Sequence, residues 1–459
     1  MTRLAASPRL QLLLLGLGTL GVPLDTATNI AFPAITAAFA LPIEDIQWVV
    51  ICYVLTHAGL MLGFGRIGDL FGHAMVFRIG LAWSAVAYLL CAAAPSFGVL
   101  VFCRFLQGVG AALILSCGPA LATGLFPEAR RARVLGAYAA MFAIGAALGP
   151  SVGGLLVQEY GWPAVYWART PTTLLALLLL RLPPAPQASG SRPPFDMVGA
   201  GLLALGLTGL LLALNRARLI SDGDPTAVSL LLVSLLAGLG FVRWERRFVA
   251  PMLDLRVFAQ RSFALLSVAN ILLSLAGFAV LLLVPYYLAR FGAMPWYQAG
   301  FVLALSPGGT MLASSLAGRL LGRLPPYPVA LGGAVILALG LGLIATWQEQ
   351  AGLFGMAVAL LLQGIGIGLF HVAYLELVTA TLPRQDRGVA GSLANVTRTM
   401  GVVGGASLLM LLFRSVQASG PAGLDADAGF LAAFSATFAA AAALSGAVAM
   451  LAVLLRPRR

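Results

Sequence analysis

The decapeptide GAALGPSVGG at residues 145–154 is the most informative stretch of the chain, because it places four glycines and a proline inside a long apolar segment. The segment is long enough to cross a lipid bilayer. A membrane helix tolerates these residues where a neighbouring helix packs closely against its backbone and the freed carbonyl groups find other donors. The pattern therefore predicts a membrane helix in close contact with a second helix. An ordinary glycine-mediated helix contact, with no further role, is the alternative on these residues alone.

The composition favours a polytopic membrane protein. Of 459 residues, 60% are hydrophobic and 10% are charged, and the mean hydropathy is +0.96, whereas soluble domains carry about 25% charged residues. The formal net charge of +12 comes from arginine, since the chain has no lysine. These arginines lie in short loops and not among aromatic residues, so we expect no nucleic-acid partner. Abundant Ala, Gly and Arg are typical of a GC-rich bacterial genome.

Neither the cysteines nor the N-terminus indicate other chemistry. Cys52, Cys91, Cys103 and Cys117 lie in apolar segments without a CxxC pair, which predicts packing residues and not disulfides or a metal site. The N-terminus imitates a signal peptide, but its apolar run continues to about residue 33 with no small-residue cleavage site, so we interpret it as an uncleaved membrane helix. Since no nucleotide-binding loop or catalytic constellation is present, we expect no cofactor and no enzymatic activity.

Hydropathy over a window of about 19 residues predicts about fourteen membrane-spanning helices. The predicted spans are residues 10–33, 45–64, 75–94, 98–121, 134–157, 164–181, 197–215, 226–243, 263–288, 297–317, 328–346, 353–380, 389–413 and 430–454. With the N-terminus inside, 21 arginines face the cytoplasm, 4 lie outside and 3 lie within spans. This bias predicts that both termini are cytoplasmic. No loop is long enough to form a soluble domain.

The chain repeats itself at an offset of 256 residues. QGVG at residues 107–110 returns as QGIG at 363–366. Four further residues return in the same way, Pro127, Arg131, Gly145 and Gly149 as Pro383, Arg387, Gly401 and Gly405. The repeat predicts two halves in parallel orientation. The excess over six helices per half predicts an insert of two helices, which gives an N-terminal half at residues 1–182, a linker with the inserted helices at 183–261 and a C-terminal half at 262–459.

The decapeptide resembles the motif G-x-x-x-G-P-x-x-G-G in the fifth helix of exporters of the major facilitator superfamily. Nearly the whole chain resembles the fourteen-helix drug:proton antiporter branch of that superfamily. The resemblance implies an all-α polytopic membrane protein with two six-helix halves and two inserted helices. It also implies a set of gating and helix-packing residues, namely Gly65, Asp69, Gly72, Gly108, Gly145, Gly149, Pro150, Gly153 and Gly154.

The segment GRIGDLFGHA at residues 65–74 is similar to the superfamily loop G-x-L-a-D-r-x-G-r-k between helices 2 and 3. The resemblance implies that Asp69 caps a neighbouring helix and pairs with an arginine, which latches the two halves together. Partners are available at Arg130, Arg131 and Arg133. The basic positions of the family motif are Leu70, His73 and Ala74 here, so the chain departs from the family pattern in this loop. A solvated loop whose glycines form a turn is the alternative.

Two further motifs place charges inside apolar spans. LDTATNIAFP at residues 24–33 resembles L-D-x-T-x-x-N-x-A-x-P in helix 1, and RFLQGVGAA at 104–112 resembles R-x-x-q-G-x-g-a-a in helix 4. At 1.5 Å per residue, Asp25 lies ~12 Å and Arg104 ~9 Å from the outer ends of their helices, so we expect the two to interact. The resemblance implies a proton-coupling and substrate pathway with Asp25, Asn29, Arg104 and Gln107. A structural ion pair that never titrates is the alternative.

Helix 12 matches no motif but contains His371 and Glu376 in an apolar segment. Five residues apart, the two side chains point about 140° apart on a helix, so one shared site is not expected. We assign both to the candidate proton or substrate pathway, with Arg398 of the next helix as a partner for Glu376. A hydrogen-bonded structural role for His371 stays open. FDMVG at residues 195–199 resembles the start of the first inserted helix of this branch, and PMLDL at 251–255 the segment after the second.

These features predict a secondary-active transporter that exports a small amphipathic molecule in exchange for protons. A proton-coupled or facilitative importer on the same fold and a membrane protein that transports nothing are the alternatives. Asp25 and Glu376 are the only acids expected to be buried in the spans, and a cavity lined by carboxylates would suit lipophilic cations. We expect a monomer in the bacterial inner membrane. After helix 5, Trp162 and Pro171 match the family loop, whereas Arg169 replaces its asparagine.

Overall fold

The computed structural model describes residues 7–127, 130–180, 196–215, 225–248, 261–292, 294–381, 387–419 and 425–454. Regular structure in these ranges is helical. The helices before the predicted insert are α1 (Pro8–Leu20), α2 (Ala27–Ile30), α3 (Phe32–Ala38), α4 (Gln47–Phe71), α5 (His73–Ala92), α6 (Phe97–Gly124), α7 (Arg131–Tyr160), α8 (Ala164–Trp167) and α9 (Thr170–Leu179). The remaining helices are α10 (Met197–Asn215), α11 (Pro225–Glu245), α12 (Arg261–Phe291), α13 (Trp296–Leu321), α14 (Pro326–Ala345), α15 (Leu353–Thr381), α16 (Arg387–Ser419) and α17 (Ala426–Leu454).

Each of the fourteen predicted segments contains helix, so the all-α polytopic architecture is confirmed. Within the described ranges, eleven helices are long and apolar enough to cross a membrane, or twelve if one bent pair counts as a single span. The sixth predicted span is divided into the short helices α8 and α9. The count of fourteen crossing helices therefore stays a prediction, as do the boundaries of the two halves and of the insert.

The first predicted span forms one candidate membrane crossing at Pro8–Ile30, and a 3-10 turn interrupts its α-helix. The chain leaves α1 at Leu20, forms a 3-10 turn at Pro23–Thr26, and continues through α2 and α3. Pro23 has no N–H to donate to the preceding helical turn, which favours a change of helix type at this point. The predicted membrane helix is confirmed as a candidate span, and hydropathy did not indicate the turn within it.

The segment at residues 65–74 is almost entirely helical, so the predicted loop is confined to one residue. Helix α4 runs to Phe71, and α5 begins at His73. Between them Gly72 adopts φ 95° and ψ 122°, a conformation that favours glycine. The side chains of Asp69, Arg131 and Arg133 lie outside the described residues, so the predicted latch stays a prediction.

Residues related by the offset of 256 occupy matching packing positions. Gly145 of α7 packs against Leu20 and Pro23 at the end of the first helix. Its counterpart Gly401 of α16 packs against Ser274 of α12, the corresponding helix of the C-terminal half. Similarly, Gly108 of α6 meets α4, and Gly364 of α15 meets α13. The repeat read from the sequence is therefore also a repeat of helix contacts.

The helix bundle has two ends, and helices of the two repeats contact each other across it. We call proximal the end where α1 begins and distal the opposite end, near Tyr160 and Trp296. Across the repeats, α7 packs against α13 and α4 packs against α16. The inserted helix α10 pairs with α11 and contacts both α4 and α16. Helix α10 begins within the FDMVG motif, as the sequence predicts. The Asp196 carboxylate caps its N-terminus by accepting a hydrogen bond from the N–H of Gly199 at 2.7 Å.

Candidate functional site

The break in the first span exposes Asp25 to two other helices. Asp25 lies in the 3-10 turn, and its side chain is 14% exposed. Arg104 of α6 binds this carboxylate through two hydrogen bonds. Its Nη1 donates to Oδ1 at 2.6 Å and its Nη2 donates to Oδ2 at 2.8 Å. Such bidentate pairing is the strongest geometry of an arginine–carboxylate pair. The interaction predicted from matching depths is confirmed.

A second guanidinium holds the same carboxylate. Arg169, which precedes α9, donates from Nη1 to Oδ1 of Asp25 at 2.7 Å and is 3% exposed. The sequence analysis singled out Arg169 as a departure from the family but did not assign it to this site. The sequence did contain a signal for this contact. An arginine within an apolar span requires a carboxylate partner, and Asp25 is the acid at that depth.

Gln107 completes the network on α6. Its Nε2 donates to Oδ1 of Asp25 at 2.9 Å, and its Oε1 accepts from Nη1 of Arg104 at 2.7 Å. The Nε of Arg104 donates to the carbonyl of Val49 at 2.8 Å. The Arg104 guanidinium also lies 4.3 Å from the ring centroid of Tyr53, a cation–π contact. With Asp25 and both arginines ionised, this network carries a net charge of +1.

The predicted residue Asn29 does not join the network. It is buried in α2 but is not among the groups that bond Asp25. Two predicted packing glycines also differ from each other. A Cβ on Gly108 would lie 2.6 Å from the Cβ of Thr56, whereas a Cβ on Gly65 would meet Ser116 at 3.8 Å. Gly108 is therefore a close helix contact, and Gly65 is not.

Helix α7 uses two faces of its glycine motif. Gly149 and Gly153 lie against the start of α2, where a Cβ on Gly153 would come 2.8 Å from the Cα of Ala27. Gly154 lies against α13, where its added Cβ would come 3.1 Å from the Cα of Gly300. The motif therefore holds the first span on one side and the opposite repeat on the other, as the predicted close packing requires.

Pro150 frees a carbonyl group, and a side chain from the first span satisfies it. The proline removes the helical hydrogen bond to the carbonyl of Ala146, four residues earlier. The hydroxyl of Thr26 donates to that carbonyl at 3.0 Å. Thr26 directly follows Asp25, so one residue connects the buried charges to α7.

A cavity of about 780 Å³ lies between the two repeats. Its apolar lining consists of Ala140, Phe142, Ala143, Ile144, Ala146, Gly277, Phe278, Leu281, Pro307, Met311, Leu312, Ile367 and Val402. Its polar and charged lining consists of Thr26, Ser274, Ser306, Thr310, Ser314, Ser315, Gln363, His371 and Arg398. The volume lies within the range of small-molecule sites, roughly 300–1,000 Å³.

The cavity and the charge network are separate sites. Asp25, Arg104 and Gln107 are absent from the described cavity lining, which Thr26 reaches from the same turn. His371 lines the cavity as predicted, and its Nε2 lies 3.5 Å from the Ser274 hydroxyl. These positions assign His371, and not Asp25, to the cavity wall.

The expectation that Glu376 is buried was wrong. Glu376 is exposed on the surface of α15 and is not among the described lining residues, whereas Arg398, its proposed partner, lines the cavity. Five residues along a helix turn the side chain about 140° away from His371, so Glu376 faces out of the cavity. The described lining contains no carboxylate, so neither Asp25 nor Glu376 contributes to it.

The arrangement of two helical repeats around a cavity invites comparison with known membrane proteins. The sequence profile of the Major Facilitator Superfamily matches residues 15–406. The chain belongs to this superfamily. As a major facilitator protein it is a multi-pass membrane transporter that exports small molecules.

Relatives in the superfamily include several resistance proteins. The puromycin resistance protein pur8 of Streptomyces alboniger is 32% identical over 395 residues, which cover 84% of this chain and 77% of that protein. The multidrug efflux pump LfrA of Mycolicibacterium smegmatis is 28% identical over 436 residues, which cover 92% and 84%. The riboflavin transporter RibZ of Clostridioides difficile is 27% identical over 386 residues, which cover 84% and 83%.

Solved structures show the same major facilitator fold. The nucleoside transporter NupG superposes with a TM-score of 0.72 at 13% identity, covering 97% of this chain and 99% of that one. A bacterial homolog of the human lysosomal transporter Spinster, in an inward-facing and unoccupied conformation, superposes with a TM-score of 0.71 at 16% identity. It covers 98% of this chain and 97% of that one.

Proposed function

We propose that the protein exports a small amphipathic molecule from the bacterial cytoplasm or inner leaflet in exchange for protons, by alternating access. The cavity between the repeats is the observation that carries this proposal. Its lining includes Ala140 in the first half of α7 and Arg398 in the first half of α16, so it extends towards the proximal end. The arginine bias supports a cytoplasmic location for that end.

Contacts at the distal end support an inward-facing state. Across the repeats, the backbones of Gly154 and Gly300 meet there. Nε of Arg414 also lies 2.9 Å from Oε1 of Glu44, an ion pair between α16 and the segment before α4. Exposed ion pairs contribute little, about 0–1 kcal/mol, so the close backbone contact of Gly154 with Gly300, which we call the distal seal, contributes more to closure than this pair.

The charge network supplies a route from protonation to movement. Neutralising Asp25 would leave Arg104 and Arg169 as two like charges in a buried site, at a cost of several kcal/mol. Relief requires the guanidiniums of Arg104 and Arg169 to move apart, and because both are bonded to Asp25 the turn at Asp25 would move with one of them. Because Thr26 is bonded to the carbonyl of Ala146, that movement would pull on α7, which seals the distal end. A change of a few kcal/mol is enough to shift a two-state equilibrium.

His371 is the second candidate for the coupling proton, because it lines the cavity where substrate and proton could compete. A structural role, through the contact with Ser274, is the alternative. Substrate binding and exchange in Asp25→Asn and His371→Asn would distinguish the two candidate proton carriers. If Asp25 carries the proton, Asp25→Asn binds substrate but does not exchange it, whereas His371→Asn retains exchange.

A susceptibility screen of a strain overexpressing the protein would select a transported compound. Respiring inverted membrane vesicles would then report proton release by a pH-sensitive dye when that compound is added. We expect compound-dependent proton release that an uncoupler abolishes and that Arg104→Ala reduces to background. Uptake driven in the opposite direction would establish the importer, and accumulation that resists the uncoupler would exclude proton coupling.

A further inference from the structure

The two arginines that bind Asp25 are held unequally. Arg104 uses every nitrogen of its guanidinium, since besides the two carboxylate oxygens it binds the carbonyl of Val49 and the side chain of Gln107. Arg169 reaches the carboxylate through Nη1 alone, and its buried Nη2 has no hydrogen-bond partner among the described residues. Arg169 is therefore the more weakly bound of the two guanidiniums.

Loss of the charge on Asp25 would release Arg169 before Arg104. Oδ1 of Asp25 accepts hydrogen bonds from both guanidiniums and from Gln107, which crowds several donors onto one oxygen. A neutral carboxyl group attracts cations less than a carboxylate does. Without that attraction Arg104 keeps its bonds to α4 and Gln107, whereas Arg169 keeps a bond of 2.9 Å to the carbonyl of Val165, in its own segment.

The backbone around Arg169 is suited to such a movement. Pro171 has no N–H to donate to the carbonyl of Trp167, and the helix is interrupted there between α8 and α9. Arg169 lies in this interruption, and its contact with the carbonyl of Gly21 is long, at 3.4 Å. Because α8 packs against α7, a shift of Arg169 would reach the helix that forms the distal seal.

Asp25 is the counter-charge that Arg104 and Arg169 share. Among the described groups, the other titratable side chains that interact electrostatically with these three are Cys52, Tyr53 and His57 of α4, Tyr88 and Cys91 of α5, and Tyr166 of α8. None of these is a carboxylic acid. Neutral Asp25 would therefore leave two like charges side by side.

We infer that Arg169 is the positioning residue of a proton switch: it leaves Asp25 when that carboxyl group is protonated, Asp25 stays with Arg104, and the distal seal opens. This inference rests on the proposed function and assigns its moving group. While Arg169 is bound, two guanidiniums favour the ionised carboxylate. By linkage, separation of Arg169 and protonation of Asp25 favour each other. Asparagine, the family residue at this position, carries no charge and would not respond in this way.

Distances across the distal seal test the switch. Spin labels would be attached to Glu159→Cys of α7 and Gln298→Cys of α13, which are exposed positions at the distal end. The full-length protein would carry Cys52→Ser, because the other cysteines are buried. Double electron–electron resonance in detergent, without substrate or gradient, would give the ratio of open to closed protein.

The variant Asp25→Asn mimics the protonated carboxyl group, and it should raise the open-to-closed ratio at least about tenfold. Asp25→Asn/Arg169→Asn should return the ratio to the parent value, because the like-charge pair is gone. A double variant that stays open, or an Asp25→Asn protein that stays closed, would overturn the inference.

An acid titration of the same distance keeps the test decisive if Asp25→Asn does not fold. Acidification should raise the ratio in the parent and in Arg169→Lys, which retains the charge, but not in Arg169→Asn. A purely structural role for Arg169 would lower stability without removing the acid response. The same acid response in Arg169→Asn, or none in the parent, would therefore overturn the inference.

A second pair of distances identifies the arginine that is released. Leu13 of α1, Leu178 of α9 and Phe105 of α6 are exposed and can carry labels. On acidification, the distance between Leu13→Cys and Leu178→Cys should change, and the matched distance between Leu13→Cys and Phe105→Cys should not. A change between α1 and α6, or none between α1 and α9, would mean that Arg169 is not the group that leaves.

The switch and the proposed export function fail by different measurements. Loss of proton release in vesicles, with an acid response that still depends on Arg169, would contradict proton-coupled export and leave the switch standing. Proton-coupled exchange that persists in Arg169→Asn would leave the function standing and overturn the switch.

Discussion

The hydroxyl of Thr26 donates a hydrogen bond to the carbonyl of Ala146, the carbonyl that Pro150 leaves without a helical partner. The 3-10 turn of the first span and the proline within α7 thereby complement each other. The 3-10 turn that presents Asp25 to its arginines also presents Thr26 to α7. A proline that would be costly in an isolated membrane helix becomes a point of contact between the charge network and the distal seal.

We predict that Thr26→Val loses this link while preserving side-chain volume. The Ala146 carbonyl would lack a donor, at a cost of about 1–3 kcal/mol in the free energy of unfolding. Thermal unfolding of the purified protein should show a lower midpoint, and vesicle exchange should be slower. Thr26→Ser keeps the hydroxyl and should remain close to wild type. Equal midpoints for the Val and Ser variants would show that the bond contributes nothing.

The charge network predicts an order of stability among its variants. Asp25→Asn leaves two buried guanidiniums without a counter-charge, a loss of about 3–5 kcal/mol. Arg169→Asn should cost less, because Arg104 keeps its bidentate pair with Asp25. The double variant Asp25→Asn/Arg169→Asn should be more stable than Asp25→Asn alone, since one repulsive charge is gone. Thermal midpoints would measure this order, and a double variant less stable than Asp25→Asn would contradict it.

The distal seal predicts a sharp difference between two glycines of α13. A Cβ on Gly300 would meet the carbonyl carbon of Pro150 at 3.1 Å, backbone that cannot move aside cheaply. Gly300→Ala should therefore reduce exchange at least about tenfold, if closure requires the contact and its loss costs about 1.4 kcal/mol. Gly308→Ala is the matched control, because its Cβ would have no neighbour within 4 Å. Equal exchange rates in both variants would exclude a sealing role for the contact.

Glu376 provides a prediction of no effect. Because its side chain is exposed and outside the described cavity lining, Glu376→Gln should retain wild-type exchange. Impaired exchange in Glu376→Gln, measured in the same vesicles, would return this carboxylate to the list of proton carriers.

The sequence predicted the features that depend on periodicity and duplication. Helix positions follow from apolar length, and the matching contacts of Gly145 and Gly401 follow from the repeat. The pairing of Asp25 with Arg104 was predictable because a buried charge requires a partner at its own depth. These inferences need only rise per residue and charge, both of which a sequence provides.

Rotation about each helix axis and breaks within a helix were not predictable in the same way. Glu376 and His371 are in one apolar helix, but only the packing of neighbouring helices decides which one faces the cavity. Arg169 reaches Asp25 because the first span is broken beside it, and hydropathy alone does not register the break. Which charged side chains line the cavity depends on these rotations, and the described lining includes Arg398 but not Glu376.

The inserted pair makes the two flanks of the transporter unequal. Helix α10 covers the flank where α4 meets α16. On the opposite flank, where α7 meets α13, Phe142 and Leu312 line the cavity and are exposed, Leu312 to 63%. If the substrate is amphipathic, as we propose, these side chains would let it enter the cavity from the lipid tails on that flank. The transporter would then take up its substrate at the concentration in the leaflet and not at that in the cytosol.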